Sequence, residues 1–153
     1  MHLAAERSEC AALARRFGLA ALDSLEADAV CIKDAVAISV EGRLTARLTQ
    51  NCVATGEPIP VALDEPFALR FVPAQELEIN TEEIELSATD CDVIPYADGV
   101  FDLGEAVAET LLLALDPFPR CADADAKLKA AGVLSEDQTS PFAVLKDLLG
   151  NKS

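Results

Sequence analysis

Five cysteines are the residues of this sequence that are best suited to nucleophilic or metal chemistry. No two of them lie within four residues of each other, so the chain lacks the CxxC spacing of zinc knuckles and redox motifs. An odd and scattered set is typical of reduced, mostly buried thiols in the cytoplasm. We therefore predict no metal site and no cofactor. The five are Cys10, Cys31, Cys52, Cys91 and Cys121.

Acid–base catalysis would need an ordered histidine or a pair of carboxylates. The one histidine, His2, lies at the terminus, where a Ser-His-Asp or Cys-His arrangement has no ordered base. Asp90 with Asp92, and Glu105 with Glu109, could hold a metal or act as acid and base. Turn chemistry and a helix cap account for the same pairs. Because nucleotide-binding glycine motifs are also absent from the sequence, we predict a protein that is not an enzyme and has no small-molecule substrate.

Negative charge dominates the chain and is concentrated in one stretch. The net charge is -15, and no Lys or Arg occurs between Arg70 and Arg120. Such a stretch is either a solvated face that keeps the protein soluble or a face that attracts a basic protein or divalent ions. It argues against phosphate binding by this half of the chain. The candidate partner-binding residues are Asp90, Asp92, Asp98, Asp102, Glu105 and Glu109.

A small set of arginines gives the opposite signal. Arg43 and Arg47 lie on the polar side of a predicted strand, where residues two apart share a face, and Arg70 lies on the next strand. These three residues could contact the phosphates of a nucleic acid. Alternatively, they are surface arginines that face acids on neighbouring strands.

The elements that position these residues begin with helical spacing and change to a period of two. Residues 3–22 predict a helix rich in Ala and Leu. Residues 36–49 alternate between apolar and polar side chains, which predicts a long half-buried strand with a bulge at Gly42. A turn at 55–58 leads to a second alternating run at 59–71, so we predict an antiparallel pair.

The acidic stretch and the tail are less regular. We predict an acidic loop at 73–81, a third strand at 83–91 and a turn-rich connection at 90–99. Asp102 should cap a helix, with Glu105 completing a capping box, and that helix should end before Pro117. The sequence of the tail predicts a short helix at 124–131, a linker at 135–140 and a last helix from Pro141.

Three segments resemble the YceD family, also called the large ribosomal RNA subunit accumulation protein family. They are LTARLTQNCVATGEPI around Cys52, FDLGEAVAETLLLALDPFPR from Phe101, and PFAVLKDLL from Pro141. The hallmark residues are Asp102, Leu103, Glu109, Leu111, Leu112, Leu113 and Pro117. The likeness covers about 35–150 and is greatest to the alphaproteobacterial branch.

Two departures from the family pattern bear on the site. Many members have a second Cys three residues after the first, where this sequence has Thr55. If that pair binds a metal in some relatives, this chain has lost the site. The chain also begins directly in a predicted helix, where the resemblance would place a strand first.

Together these features predict one soluble, cytoplasmic α+β domain over 1–153. An antiparallel sheet, which could close into a barrel-like form, should pack against two or three helices. We divide the chain into a helix at 3–22, the core that carries the family pattern at 35–119, and a polar tail with a short helix at 120–153.

The resemblance implies a non-enzymatic role in large ribosomal subunit biogenesis. Our leading hypothesis is that the acidic surface docks a basic ribosomal protein or assembly factor, with no membrane involved and any contact with rRNA indirect. The alternatives are direct rRNA binding through Arg43, Arg47 and Arg70, or an uncharacterised metal-binding protein or enzyme using Asp90, Asp92 or Glu109.

Overall fold

The computed structural model describes residues 1–79 and 92–133, with backbone alone for 77–79. Within these ranges a five-stranded sheet has the order β1-β2-β3-β4-β5. The elements are β1 His2–Ala4, α1 Arg7–Phe17, β2 Ala21–Lys33, β3 Ile38–Asn51, β4 Pro58–Pro73, α2 Ala74–Ile79, β5 Asp92–Tyr96, α3 Leu103–Ala114 and α4 Ala124–Ala130.

The predicted α+β class is confirmed, but the sheet is mixed. The pairs β1–β2 and β2–β3 are antiparallel, whereas β4 and β5 are parallel. The described strands are not closed into a barrel. The parallel pair requires a crossover between the two strands. The predicted strand at 83–91 and the tail elements beyond residue 133 lie outside the described residues.

The chain divides into two compact units. The first unit comprises Met1–Gln50 and Pro60–Pro117, and the second comprises Asn51–Ile59 and Phe118–Ser153. The prediction of one domain over 1–153 therefore stays a prediction.

The core of the first unit follows the alternation of β3. Val40, Leu44 and Leu48 are almost fully buried, because every second side chain of a strand points to the same face. Phe71 of β4 and Leu111 of α3 are buried in the same cluster. Burying a side chain of this size contributes about 1.5–3 kcal/mol, so this apolar cluster is the main support of everything the first unit positions.

The N-terminal prediction was wrong in its boundaries. A short strand, β1, precedes the helix, and α1 begins only after the N-cap Glu6. Glu6 and Glu9 form a reciprocal capping box, in which the Glu6 amide donates to Glu9 Oε2 at 2.7 Å. The helix ends at Gly18, whose φ of +66° suits a residue without a side chain.

The long strand β2 was missed because its alternation is interrupted. Its register against β3 shifts between Leu22 and Ser24, so the buried residues do not keep one parity. The predicted bulge at Gly42 is wrong, because Gly42 pairs in register with Ala29. A Cβ on Gly42 would lie 2.4 Å from the Asp28 carbonyl oxygen and 2.9 Å from the ring of Phe67, so glycine allows these groups to pack closely.

The remaining predictions have mixed outcomes. The turn at 55–58 is present, with Gly56 at φ +74°, and the helices starting near 103 and 124 are confirmed as α3 and α4. The loop predicted at 73–81 is wrong, because α2 occupies Ala74–Ile79. The connection predicted at 90–99 is also wrong in part, because β5 forms there.

No helix in the described ranges is long and apolar enough to cross a membrane.

Candidate functional site

An open cleft of about 380 Å³ lies in the first unit among α1, the β1–β2 pair and α3. We call it the acidic cleft. Its floor is apolar and includes Leu25, Val107 and Ala108, which are buried. Four acidic residues line it, Glu9, Glu26, Asp102 and Glu105, but Glu26 alternates on β2 with the buried Leu25 and Ala27, so its side chain lies on the other face of the sheet.

Helix caps hold two of these carboxylates in place. Glu9 accepts the hydrogen bond from the Glu6 amide, and Asp102 Oδ1 accepts one from the amide of Glu105 at 2.9 Å. The side chain of Asp102 therefore satisfies an otherwise unpaired amide at the start of α3. Both carboxylates have fixed directions without being neutralised, because their partners are uncharged amides.

The third carboxylate is paired across the two helices. The guanidinium of Arg16 donates to both carboxylate oxygens of Glu105, at 2.9 and 2.5 Å. These hydrogen bonds hold the pKa of Glu105 below its ordinary value. Arg16 and Glu105 are 89 residues apart in sequence, so this pair joins α1 to α3 beside the cleft.

The arrangement of the acidic cleft suits an amphipathic partner. An apolar side chain can be buried on the floor while Lys or Arg side chains beside it meet the carboxylates. Binding of this kind needs no chemical step.

The structure brings together only part of the predicted acidic set. Asp102 and Glu105 line the acidic cleft, whereas Asp92, Asp98 and Glu109 are exposed and do not line it. Asp90 lies outside the described residues. Glu109 is exposed on α3.

Sequence reasoning missed the other two acids of the cleft. Glu9 and Glu26 come from α1 and β2, which lie outside the Lys- and Arg-free stretch. The one local signal for Glu9 is its place three residues after Glu6, which is the spacing of a capping box.

The arginines proposed for RNA are largely engaged with acids. Arg43 pairs with Asp64, and Arg70 Nη2 lies 3.3 Å from Asp34 Oδ2. Arg47 is exposed and has no ion pair among the described residues. The alternative of surface arginines facing acids therefore fits Arg43 and Arg70.

A second group of reactive side chains lies within the second unit, and we call it the thiol cluster. The thiol of Cys121 donates to Cys52 Sγ at 3.4 Å, and the amide of Cys121 lies 3.4 Å from the same sulfur. Cys52 is 2% exposed and Cys121 is half-buried. The remaining members are Thr55, Glu57, Asp123 and Lys127.

The two thiols differ in acidity. Hydrogen bonds, first from the Thr55 side chain and then from the Cys121 amide, lower the pKa of Cys52 to about 6. Thr55 also acts to lower the pKa of Cys121, but burial and the neighbouring Cys52 outweigh it, so this pKa is raised. Near neutral pH, Cys52 is therefore the thiolate of the pair and Cys121 keeps its proton.

The acids of the thiol cluster surround a cation supplied by the chain itself. Ligand atoms of Glu57, Cys121 and Asp123 all lie within 4.8 Å of one another, which is a spacing that could hold a metal ion. Lys127 Nζ bonds Glu57 and lies 2.8 Å from Asp123 Oδ2. The ammonium is thus already paired with these carboxylates. The prediction of no metal and no cofactor stays a prediction.

The thiol cluster could not be read from sequence spacing. Cys52 and Cys121 are 69 residues apart, and neither has a second cysteine nearby. The local signals were the turn at 55–57 and the helical i,i+4 spacing of Asp123 and Lys127.

Comparison with known proteins gives the family. The family model described as Large ribosomal RNA subunit accumulation protein YceD matches residues 40–149, which is more than half of the chain. The chain belongs to the YceD family. No curated protein and no solved structure matches it.

Membership of the YceD family implies a role in the accumulation of large-subunit ribosomal RNA, and this is not a known enzyme family. The matched range contains the whole thiol cluster and the α3 wall of the acidic cleft. The other wall, from α1, β1 and β2, precedes residue 40. The cleft is therefore built partly from residues that the family pattern does not cover.

Proposed function

We propose that this protein is a non-enzymatic cytoplasmic factor that supports accumulation of large-subunit ribosomal RNA by binding a basic protein segment in its acidic cleft. The partner would be a ribosomal protein or an assembly factor. Any contact of this protein with rRNA would then be indirect, through that partner.

The observation that carries this proposal is the combination of an apolar floor with fixed carboxylates on one surface. Ribosomal proteins and their assembly factors are rich in Lys and Arg because they contact phosphate. A basic segment with one or two apolar side chains would bury them against Leu25 and Val107 while its cations reach Glu9 and Asp102. A phosphate backbone would be repelled by the same carboxylates.

The pair between Arg16 and Glu105 sets a limit on the attraction. The carboxylate of Glu105 is already paired with Arg16, so the incoming cations are drawn chiefly by Glu9 and Asp102. An exposed attraction of this kind increases the association rate and weakens as salt rises.

The proposal is tested by depleting the protein and measuring the ratio of large- to small-subunit ribosomal RNA, with a sucrose gradient run alongside. We expect a selective fall in the large subunit that the unaltered protein restores. Glu9→Lys should restore it poorly, because the change reverses charge on the cleft without removing a buried side chain.

The matched control is Glu41→Lys. Glu41 is exposed on strand β3 and does not line the cleft. This variant has the same net charge as Glu9→Lys and should restore the ratio fully. Equal rescue by both variants would reject the cleft as the docking surface, and an unchanged ratio on depletion would reject the role itself.

Binding is measured directly by affinity purification of the tagged protein at two salt concentrations, followed by mass spectrometry. We expect basic large-subunit proteins or assembly factors at low salt, with less recovered at high salt. A complex that is indifferent to salt would contradict the electrostatic mechanism.

A further inference from the structure

We propose that Cys52 is a site of oxidation by peroxide and that Cys121 resolves the product to a disulfide within the second unit. This inference is independent of the proposed function, because it concerns neither the acidic cleft nor ribosomal RNA.

The geometry of the two sulfurs is the first reason. The Sγ atoms are already 3.4 Å apart, with the Cys121 thiol directed at Cys52. A disulfide needs a sulfur–sulfur distance of about 2.05 Å. Local side-chain movement of little more than an ångström therefore joins residues that are 69 positions apart in the chain.

The division of roles follows from the surroundings of each sulfur. The Cys121 amide lies 3.4 Å from Cys52 Sγ, and the Thr55 side chain together with this amide lowers the pKa of Cys52 to about 6, which keeps the thiol ionised near neutral pH. Cys121 stays protonated beside it. One nucleophilic sulfur and one adjacent resolving thiol is the arrangement that peroxide oxidation to a disulfide requires.

The carboxylates of the thiol cluster favour this reading over a metal centre. Lys127 bonds Glu57 and Asp123, so an ammonium group already lies where a divalent cation would bind these carboxylates. A metal would have to displace that ammonium and deprotonate Cys121.

The oxidant class is set by access and by electron balance. Cys52 is 2% exposed, so a small peroxide fits better than a bulky disulfide. The Cys52 thiolate attacks one peroxide oxygen, the O–O bond breaks, and hydroxide leaves, giving a sulfenic acid. The Cys121 sulfur then attacks Cys52 Sγ, and its proton leaves with the hydroxyl group as water. Two thiols are oxidised and one peroxide is reduced.

The bond would change how the second unit is held together. In the reduced form, the turn at 51–59 and the segment at 118–133 meet through Lys127, which is 41% exposed, and through the amide of Val53, which donates to the Pro119 carbonyl at 2.8 Å. A disulfide would make that junction covalent. We expect oxidation to slow cleavage around α4 by an added protease.

The test uses the full-length protein, reduced and freed of reductant, then treated with hydrogen peroxide near neutral pH. Remaining thiols are blocked with a maleimide, and peptides are mapped by mass spectrometry. We expect one linked pair of peptides that contains Cys52 and Cys121 and is lighter by two hydrogens. The rate should fall about tenfold for each pH unit below the Cys52 pKa of about 6.

Variants assign the two roles. Cys121→Ser should stop at a sulfenic acid on Cys52 that dimedone traps, whereas Cys52→Ser should give no linked peptide. Thr55→Val should slow the reaction at neutral pH, because it removes the hydroxyl that stabilises the thiolate. Cys31→Ser removes an exposed thiol elsewhere and should change nothing.

Two results would overturn the proposal. The first is peroxide treatment that leaves Cys52 and Cys121 free while other cysteines oxidise. The second is stoichiometric metal in protein purified without chelator, if Cys52→Ser loses the metal and the metal protects the sulfurs from peroxide. That second outcome would identify the thiol cluster as a metal centre.

Discussion

The acidic cleft and the thiol cluster are supported by different kinds of contact. Beneath the cleft, α3 packs Val107 and Leu111 into a continuous apolar core. In the second unit, the buried apolar residues among those described are Cys52 and Ala124, and the other contacts are hydrogen bonds and ion pairs. The cleft thus rests on burial, whereas the cluster rests on groups that titrate or oxidise.

The two regions should therefore differ in how strongly their structure depends on pH and on oxidants. Burial of apolar area does not depend on protonation or on redox state, so the acidic cleft should keep its shape across conditions. Ion pairs, thiols and thiolates change with pH and with oxidants. The thiol cluster is therefore the part of the described chain that can respond to its chemical surroundings.

The largest expected effect comes from opening the core beneath the cleft. Leu111→Ala should lower the free energy of unfolding by about 3 kcal/mol, because it leaves a cavity where the side chain is fully buried. Leu113→Ala in the same helix, where Leu113 is 78% exposed, should cost far less. Chemical denaturation measures both. Equal losses would mean that α3 does not pack as described.

A smaller effect is expected from removing the Asp102 cap at the start of α3, beside the acidic cleft. Asp102→Ala removes the acceptor for the Glu105 amide and should cost about 1 kcal/mol of unfolding free energy. It should also weaken binding of the basic partner. Glu109→Ala, exposed on the same helix, is the control and should leave both quantities nearly unchanged. A loss of binding in both variants would show that the docking surface is not confined to the acidic cleft.

The ion pairs of the thiol cluster should respond to acid. Lys127 lowers the folded-state pKa of Glu57 and of Asp123 below the ordinary values of 4.5 and 3.8. The stability that these acids contribute is therefore present above those values and is lost as the pH falls through the lowered ones. Hydrogen exchange of α4 amides should show protection declining in that window.

Substitution of the cation tests the same interaction at neutral pH. Lys127→Met should leave α4 poorly protected throughout, with little further change on acidification. Lys129→Met, an exposed lysine of the same helix, should behave like the unaltered protein. Protection that ignores both pH and Lys127 would show that the ion pairs do not hold α4.

The smallest effect is expected for an exposed ion pair that belongs to neither the acidic cleft nor the thiol cluster. Arg43 and Asp64 form a pair whose side chains are 58% and 60% exposed, so Arg43→Ala should change the unfolding free energy by less than about 0.5 kcal/mol. If direct rRNA binding were correct, replacing Arg43 and Arg47 together would reduce the salt slope of RNA binding. An unchanged slope would remove that alternative.

Sequence patterns predicted the elements whose periodicity is continuous. The strand β3 and the helix α3 were found because apolar residues keep one spacing throughout, and the Asp102 cap and the stop before Pro117 follow from local chemistry. The run at 3–22 was assigned to one helix because Ala and Leu favour helices. Pairing of β1 and β2 with the rest of the sheet overrode that propensity.

The candidate sites were harder to predict because both depend on distant residues. Half of the acidic cleft was anticipated in Asp102 and Glu105, but Glu9 and Glu26 reach it only through the packing of α1 and β2. The thiol cluster joins residues 69 apart, and no spacing rule connects them. Local chemistry specifies caps and turns, whereas the tertiary fold decides which of them meet.

The span between Arg16 and Glu105 has a consequence for the protein's own synthesis. The first wall of the acidic cleft is translated early, but α3 supplies the second wall and ends at Ala114. A growing chain consequently has no cleft until α3 has left the ribosome and packed. A basic partner that contacts both walls would bind completed chains and not nascent ones. Binding in the cleft would therefore indicate that folding of the first unit is complete.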